Sequence, residues 1–344
     1  MLLTAEPVSP VSPPVARAAS PGRARVAYIL AASHSGSTLL AMQLGGHPQA
    51  CTAGELKGVR GDPETYRCSC GARVKECEFW RRVTAGMGQR GFDFSIAQAG
   101  TNIQQTGDPL LRRLLRPLHR GPLLEAVRES GLFALPQWHA HRRRIQARNS
   151  ALVKTLLQVS GADLIVDSSK VGLRLKYLLR NPDLEVRVLR LVRDGRGVAL
   201  THTNPAEFAD AANPELRSGG TGGPGHRGLS MADAAELWRR SNEEADRVTA
   251  TLRPAQWLEV RYEQLCQRPA ETLRAIGDFL ELPPQPVGES FRARQPQHVV
   301  GNGMRFDTHA EVRLDERWKT HLTAGDLEIF NRVAGELNRK HGYS

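Results

Sequence analysis

The stretch from Arg25 to Leu44 limits this chain most. An apolar run, Val26-Ala27-Tyr28-Ile29-Leu30, enters a turn of small polar residues, Ser33-His34-Ser35-Gly36-Ser37-Thr38, and then a helix-forming run, Leu39-Leu40-Ala41-Met42-Gln43-Leu44. A strand, a tight turn and a helix start in that order make an anion cradle. The first N–H groups of the helix have no partner within it, and the helix dipole places partial positive charge there. Serine and threonine hydroxyls add further donors. The plainer alternative is a β-turn-α connection with a Ser or Thr N-cap.

The turn also narrows the choice of anion. A nucleoside triphosphatase loop reads Gly-x-x-x-x-Gly-Lys-Ser/Thr, whereas here Ala31 stands at the first glycine and Ser37 follows Gly36 directly. Without that lysine the loop is poorly equipped for a β/γ-phosphate pair and its magnesium ion. A single phosphate suits it better.

Among the 344 residues, 47 lysines and arginines outweigh 36 acidic residues and leave a formal net charge of +11. Such a field draws polyanions in general: nucleic acid, an anionic membrane surface or a phosphate-rich cosubstrate. Residues 1–24, rich in proline, alanine and serine and without an apolar period, read as a disordered leader to a single domain over 25–344. No later segment approaches eighteen uninterrupted apolar residues, so no membrane span and a cytoplasmic protein are expected. Of the five cysteines, Cys51, Cys68, Cys70 and Cys77 form a candidate four-thiolate zinc site, although the paired Cys-x-x-Cys knuckles of common zinc folds are missing. A redox-sensitive pair and simple buried thiols are the other readings.

The coarse pattern is α/β. Strands are expected at Val26–Ala31, Asp163–Val166, Val186–Val192 and Gln256–Val260, separated by helices at Arg142–Leu157, Val171–Leu179, Met231–Thr251, Ala270–Leu280 and Ala324–Arg339. Leu110, Leu111, Leu114, Leu115 and Leu118 add a further helical repeat. Alternation of this kind favours a central parallel sheet flanked by helices, with ligands at the carboxyl ends of the strands. At the end of the third strand lies a second polar cluster, Arg193-Asp194-Gly195-Arg196-Gly197, with Thr201 two helical turns further on. A guanidinium fork with a hydroxyl nearby is a receptor for a terminal phosphate. An Arg193–Asp194 surface pair is the alternative.

In this order and separation the two clusters resemble the sulfotransferases that use 3′-phosphoadenosine-5′-phosphosulfate (PAPS), a family with a P-loop nucleotide-kinase-like architecture. Ser35-Gly36-Ser37-Thr38-Leu39 is similar to that family's 5′-phosphosulfate loop, and Arg193 with Thr201 to its 3′-phosphate site. Val260-Arg261-Tyr262-Glu263-Gln264-Leu265, Phe279-Leu280-Glu281-Leu282, Gly301-Asn302-Gly303-Met304-Arg305-Phe306 and Trp318-Lys319 extend the likeness from Val26 to Tyr343. It implies PAPS as cosubstrate without a required metal, and Tyr262 and Arg305 as further cofactor contacts. It also implies a hydroxyl or amine on a small-molecule or carbohydrate acceptor, with 3′,5′-adenosine bisphosphate released.

The chain departs from the pattern in places. His34 stands where many members carry lysine or arginine, so the cation beside the leaving phosphate becomes pH-dependent. Lys170, in Asp167-Ser168-Ser169-Lys170, is a candidate sulfonate contact, with Asp167 and Ser168 as mere helix caps the other reading. Glu55, in Ala53-Gly54-Glu55-Leu56, resembles the glutamate base of the tyrosylprotein and some bacterial branches, and partial burial would raise its pKa into a useful range; a solvated loop carboxylate, or a partner for Lys57 or an arginine, is the other reading. Trp238 and Trp318 read as packing residues. Residues 204–230, rich in glycine and proline, read as a flexible loop or lid, and the Cys51–Phe94 region with the leucine-rich helices as walls of the acceptor pocket. Two rivals are a small-molecule P-loop kinase and a basic nucleic-acid-binding module. The missing lysine opposes the first, and the absence of any nucleic-acid-binding signature opposes the second.

Overall fold

Five strands, β1 (Ala24–Ala31), β2 (Ala50–Gly54), β3 (Leu164–Lys170), β4 (Leu184–Val192) and β5 (Trp257–Arg261), pair in parallel in the order β2-β3-β1-β4-β5. They belong to a computed structural model that describes residues 22–58, 66–116, 122–209, 227–284, 303–306 and 312–344. β1 lies at the centre because its residues are apolar on both faces, as a doubly covered parallel strand requires. Its alternate side chains enter two separate cores. Val26, Tyr28 and Leu30 meet Leu152 and Leu156 of one long helix and Trp80, Val83 and Met87 of another, while Ala27, Ile29 and Ala31 meet Leu40, Leu44, Leu265 and Ile276 on the opposite face.

The helices are α1 (Ser37–Gly45), α2 (Glu78–Gln89), α3 (Pro109–Leu114), α4 (Pro122–Phe133), α5 (Pro136–Ser160), α6 (Gly172–Leu178), α7 (Gly195–Thr203), α8 (Pro205–Phe208), α9 (Met231–Thr249), α10 (Tyr262–Gln267), α11 (Pro269–Phe279), α12 (Trp318–His321) and α13 (Ala324–Lys340). α5 outruns its expected Arg142–Leu157 at both ends, from a proline in its first turn to Gly161, whose φ of 67° closes it. The leucine repeat is only partly one helix: α3 ends at Leu114 with Leu115 as its C-cap, and Leu118 lies outside the described residues. The strand begins at Ala24, so the expected leader is one residue too long, and residues 1–21 lie outside the description. Residues 210–226 of the expected lid also lie outside it, and its start, Pro205–Phe208, is a helical turn. Among the described residues no helix is long and apolar enough to cross a membrane.

Strand register puts the carboxyl ends in one row. Gly54 pairs with Asp167, Leu30 with Lys170, Ala31 with Leu191, and Val192 with Arg261. Glu55, Lys170, the turn after β1, Arg193 and Tyr262 therefore leave adjacent strands along a single edge of the sheet, the edge at which ligands of open α/β sheets collect.

Candidate active site

The turn after β1 is bent by two left-handed residues, His34 at φ 62° and Gly36 at φ 89°. Gly36 is the N-cap of α1 and has no side chain with which to cap it. A Cβ at this position would stand 2.5 Å from Cδ2 of Tyr262, so only glycine lets the ring pack onto the turn. The Ser/Thr N-cap alternative thus gives way to a glycine-capped start, with the amides of Ser37, Thr38 and Leu39 in the first turn, where orphan donors lie. Ser35, Ser37, Thr38 and Leu39 are all buried.

Arg193 ties this turn to the rest of the edge. Its Nη1 donates to the His34 carbonyl oxygen at 2.8 Å, its Nη2 reaches Asp315 Oδ2 at 2.9 Å, and its guanidinium lies 4.4 Å from the centroid of the Tyr262 ring. The Tyr262 hydroxyl accepts from the Asp315 amide at 3.2 Å. The Arg193–Asp194 surface pair does not form: Arg193 is buried, and Asp194 pairs instead with Arg196 at 2.7 Å. Burial works to raise the Asp315 carboxyl, but Arg317 and Arg193 outweigh it and hold it well below the usual carboxylate range. Asp315 therefore places one negative charge on the guanidinium that the sequence assigns to a phosphate. Thr201 does not hydrogen-bond that guanidinium. Its hydroxyl donates to the Gly197 carbonyl at 3.0 Å, and Arg193 crosses the same glycine, where a Cβ would be 3.2 Å from Nη2.

On the other side of the turn, the buried Glu55 carboxylate bridges two ammonium groups. Lys170 Nζ contacts Oε1, and Lys57 Nζ lies 2.7 Å from Oε2. The pKa expectation for Glu55 is corrected here. Burial does act to raise it, but Lys170 and Lys57 prevail and hold the carboxyl at about 2, so it is ionised. Lys170 takes a left-handed φ of 69° at the irregular end of β3, which turns its side chain back over the neighbouring strand end. Asp167 does not cap α6, whose N-cap is Val171. Its Oδ1 accepts from the amides of Ser169 and Leu56 at 2.9 and 3.3 Å, and its Oδ2 from Arg174 Nη2 at 3.0 Å.

His34 lies between the two groups, and its half-buried ring meets that of His202 edge-on at 4.7 Å. Burial, followed by His202, Lys170 and Arg193, pushes its pKa down to about 3. Burial brings His202 to about 4. The expected histidine cation is therefore a neutral imidazole at neutral pH, chiefly because burial disfavours the charged form, with Lys170 and Arg193 adding to the effect. His202 and Asp315 are site residues that sequence reasoning missed, whereas the Lys57 pair with Glu55 is one that it offered as an alternative. His202 directly follows Thr201, the only local hint, while Asp315 arrives from a segment 122 residues beyond Arg193.

Arg305 is buried, lies 4.1 Å from the centroid of the Phe306 ring and donates to the Arg67 carbonyl at 3.3 Å. Its short helical turn packs against α1; Gly301 and Asn302 of that motif lie outside the described residues. Trp238 is a packing residue against Phe330, and Trp318 carries the Arg196 guanidinium 3.9 Å from its ring centroid. A cavity of about 440 Å³ lies beside α2, lined by Tyr66, Val74, Lys75, Trp80, Arg81 and Phe94 to Ile96 among others. Its wall reaches the Glu55 loop, since a Cβ at Gly58 would approach Ala99 to 3.3 Å and the Ile96 carbonyl to 3.6 Å. The four-cysteine grouping is also corrected: the sulfurs of Cys68, Cys70 and Cys77 gather, and Cys51 stands outside that group.

Residues 182–286 match the family model described as the sulfotransferase family. Over this stretch the chain is similar to the sulfotransferase family. The stretch contains Arg193, Thr201, His202 and Tyr262, while the turn after β1 lies outside it. The chain is also 28% identical to carbohydrate sulfotransferase 2 of Homo sapiens and of Mus musculus over 179 residues, covering 42% of this chain and 32% of theirs. It thus spans about a third of the length of these sulfotransferases. The sulfotransferase domain of the Synechococcus PCC 7002 olefin synthase superposes over 94% of this chain and 96% of its own, with a TM-score of 0.50 at 19% identity. That likeness carries the fold: a parallel sheet flanked by helices with sulfotransferase architecture, as the sequence leads one to expect.

Proposed function

We propose that this chain transfers the sulfonate of PAPS to a hydroxyl or amine of a small-molecule or carbohydrate acceptor and releases 3′,5′-adenosine bisphosphate. The observation that carries the reading is the Arg193 hydrogen bond to the His34 carbonyl at 2.8 Å, which joins two anion-binding motifs 159 residues apart. The amides and hydroxyls of Ser35 to Thr38 would hold the 5′-phosphate, and Arg193 the 3′-phosphate in place of the Asp315 carboxylate. Tyr262 covers the turn from above, and Thr201 orders the glycine that Arg193 crosses. Arg305 contributes positive charge beside α1.

Glu55 is the proposed base, and the lysines govern when it acts. A carboxylate held at about 2 by two ammonium groups is a weak base. A sulfonate at the edge of the sheet competes for Lys170, and each ammonium that leaves Glu55 lets burial raise the carboxyl again. Glu55 then takes the acceptor proton while the acceptor oxygen forms a bond to sulfur. The bond from sulfur to the phosphate oxygen breaks with its electron pair remaining on that oxygen, where Lys170 offsets the charge. Neutral His34 serves as a hydrogen-bonding group here rather than as a cation. Fixed positive charge and positioning carry the reaction, so no metal step is needed.

The 28% identity to carbohydrate sulfotransferases favours a carbohydrate acceptor, with the cavity beside α2 as its pocket. Residues 25–344 are taken as one domain. A cytoplasmic site of action suits five cysteines that form no disulfide. The test is a transfer assay with sulfur-labelled PAPS over a panel of sugars, phenols and amines. Label on an acceptor, lost in Lys170→Ala, supports the reading. Phosphate transfer from ATP in its place would make the chain a kinase.

A further inference from the structure

We propose that Cys68, Cys70 and Cys77 form a three-thiolate site for a zinc ion, with a water or other exchangeable ligand in the fourth position. Their sulfurs lie within 4.8 Å of one another, and Cys70 Sγ and Cys77 Sγ are 3.7 Å apart. A tetrahedral zinc with Zn–S bonds of about 2.3 Å has sulfurs about 3.8 Å apart, so that pair already spans one edge of the coordination polyhedron.

The backbone is shaped to present the three sulfurs together. A bridge between Arg67 and Arg73 closes a hairpin, with the Cys68 amide donating to the Ala72 carbonyl and the Gly71 amide to the Cys68 carbonyl, both at 2.9 Å. Gly71 turns the chain at φ 87°, a conformation that suits glycine directly after the second ligand. Cys77 is the N-cap of the 12-residue helix α2. The amides of Trp80 and Phe79 donate to its sulfur, and the Cys70 amide donates to the Cys68 sulfur.

Charge balance and burial agree with this assignment. Three thiolates and one zinc ion carry a net charge of −1, and Arg67 lies over the turn with Nη1 donating to the Gly71 carbonyl at 2.9 Å. Cys68 and Cys77 are buried among Tyr66, Val74 and Trp80, while Cys70 is half-buried and leaves one side of the group accessible to an exchangeable ligand. The short spacing of Cys68-x-Cys70, unlike a paired knuckle, is what hides such a site from spacing rules. Zinc would pin the hairpin whose Arg67 carbonyl receives Arg305, although the assignment stands independently of the transfer chemistry.

Cobalt titration of the full chain, reduced and stripped with a chelator, tests the site. The expected result is a sulfur-to-cobalt charge-transfer band that saturates at one equivalent and is displaced by zinc. Cys70→Ser should weaken binding beyond the roughly 10–100-fold that losing a supporting residue costs. Cys266→Ser should leave binding intact, with circular dichroism showing that both variants are folded. No charge-transfer band, or full binding in a folded Cys70→Ser, would overturn the assignment. So would a persistent Cys70–Cys77 disulfide by mass in reducing buffer.

Discussion

Glu55 differs from an ordinary loop carboxylate because two lysines hold it, and that sets two expectations. Glu55→Gln should lower kcat by about 10²–10⁴ while leaving affinity for 3′,5′-adenosine bisphosphate unchanged, which steady-state kinetics and calorimetry would check together. Equal losses in both would make Glu55 a donor contact instead. Its depressed pKa, about 2, also contributes stability above the ordinary carboxylate value of 4.5, and this is lost as pH falls through 2. The histidines act at a higher pH. His34 at about 3 and His202 at about 4 both lie below the ordinary 6.5, so between these values the unfolded chain binds more protons and stability falls with pH. Denaturant midpoints measured from pH 7 to 4 should decline, and His202→Asn should flatten the decline; an unchanged slope would show that His202 does not titrate in this way.

At the level of elements, the carboxyl edge holds its geometry through a buried ion pair. Arg174 on α6 reaches Asp167 on β3 and also donates to the Thr101 carbonyl at 2.7 Å, with both charged side chains buried. Arg174→Met should cost about 3–5 kcal/mol in chemical denaturation, because it strands the Asp167 charge. A cost near zero would mean that water reaches Asp167. Which elements the sequence made legible follows from the same physics. β1, β3 and β4 carry buried apolar runs, β5 at the sheet edge carries apolar residues of which only Val260 is buried, and the helices around them carry clear periods. β2, Ala50-Cys51-Thr52-Ala53-Gly54, has small side chains and no such run, and it is a strand only because β3 pairs with it. The turn after β1 and the Arg193 segment were legible as motifs because each is contiguous in the chain. The Glu55–Lys170 and Arg193–Asp315 pairs were not, because register and a distant segment bring them together; the error in the Glu55 pKa followed directly from the unseen Lys170.

Across the whole molecule, a formal charge of +11 surrounds a site whose proposed ligand is strongly anionic. Bisphosphate affinity should fall as salt rises from 50 to 500 mM, since exposed charges lose their reach as the Debye length shrinks to a few ångströms near 1 M. Insensitivity to salt would confine the electrostatics to the buried contacts of Arg193. The most direct measurement is calorimetric binding of 3′,5′-adenosine bisphosphate beside AMP and Mg·ATP, to the wild-type chain and to Arg193→Ala. Tight binding of the bisphosphate alone is expected, weakened in Arg193→Ala by about 1.5–3 kcal/mol, the worth of hydrogen bonds to a charged group. Equal binding of AMP and the bisphosphate, or a preference for Mg·ATP, would contradict the PAPS site.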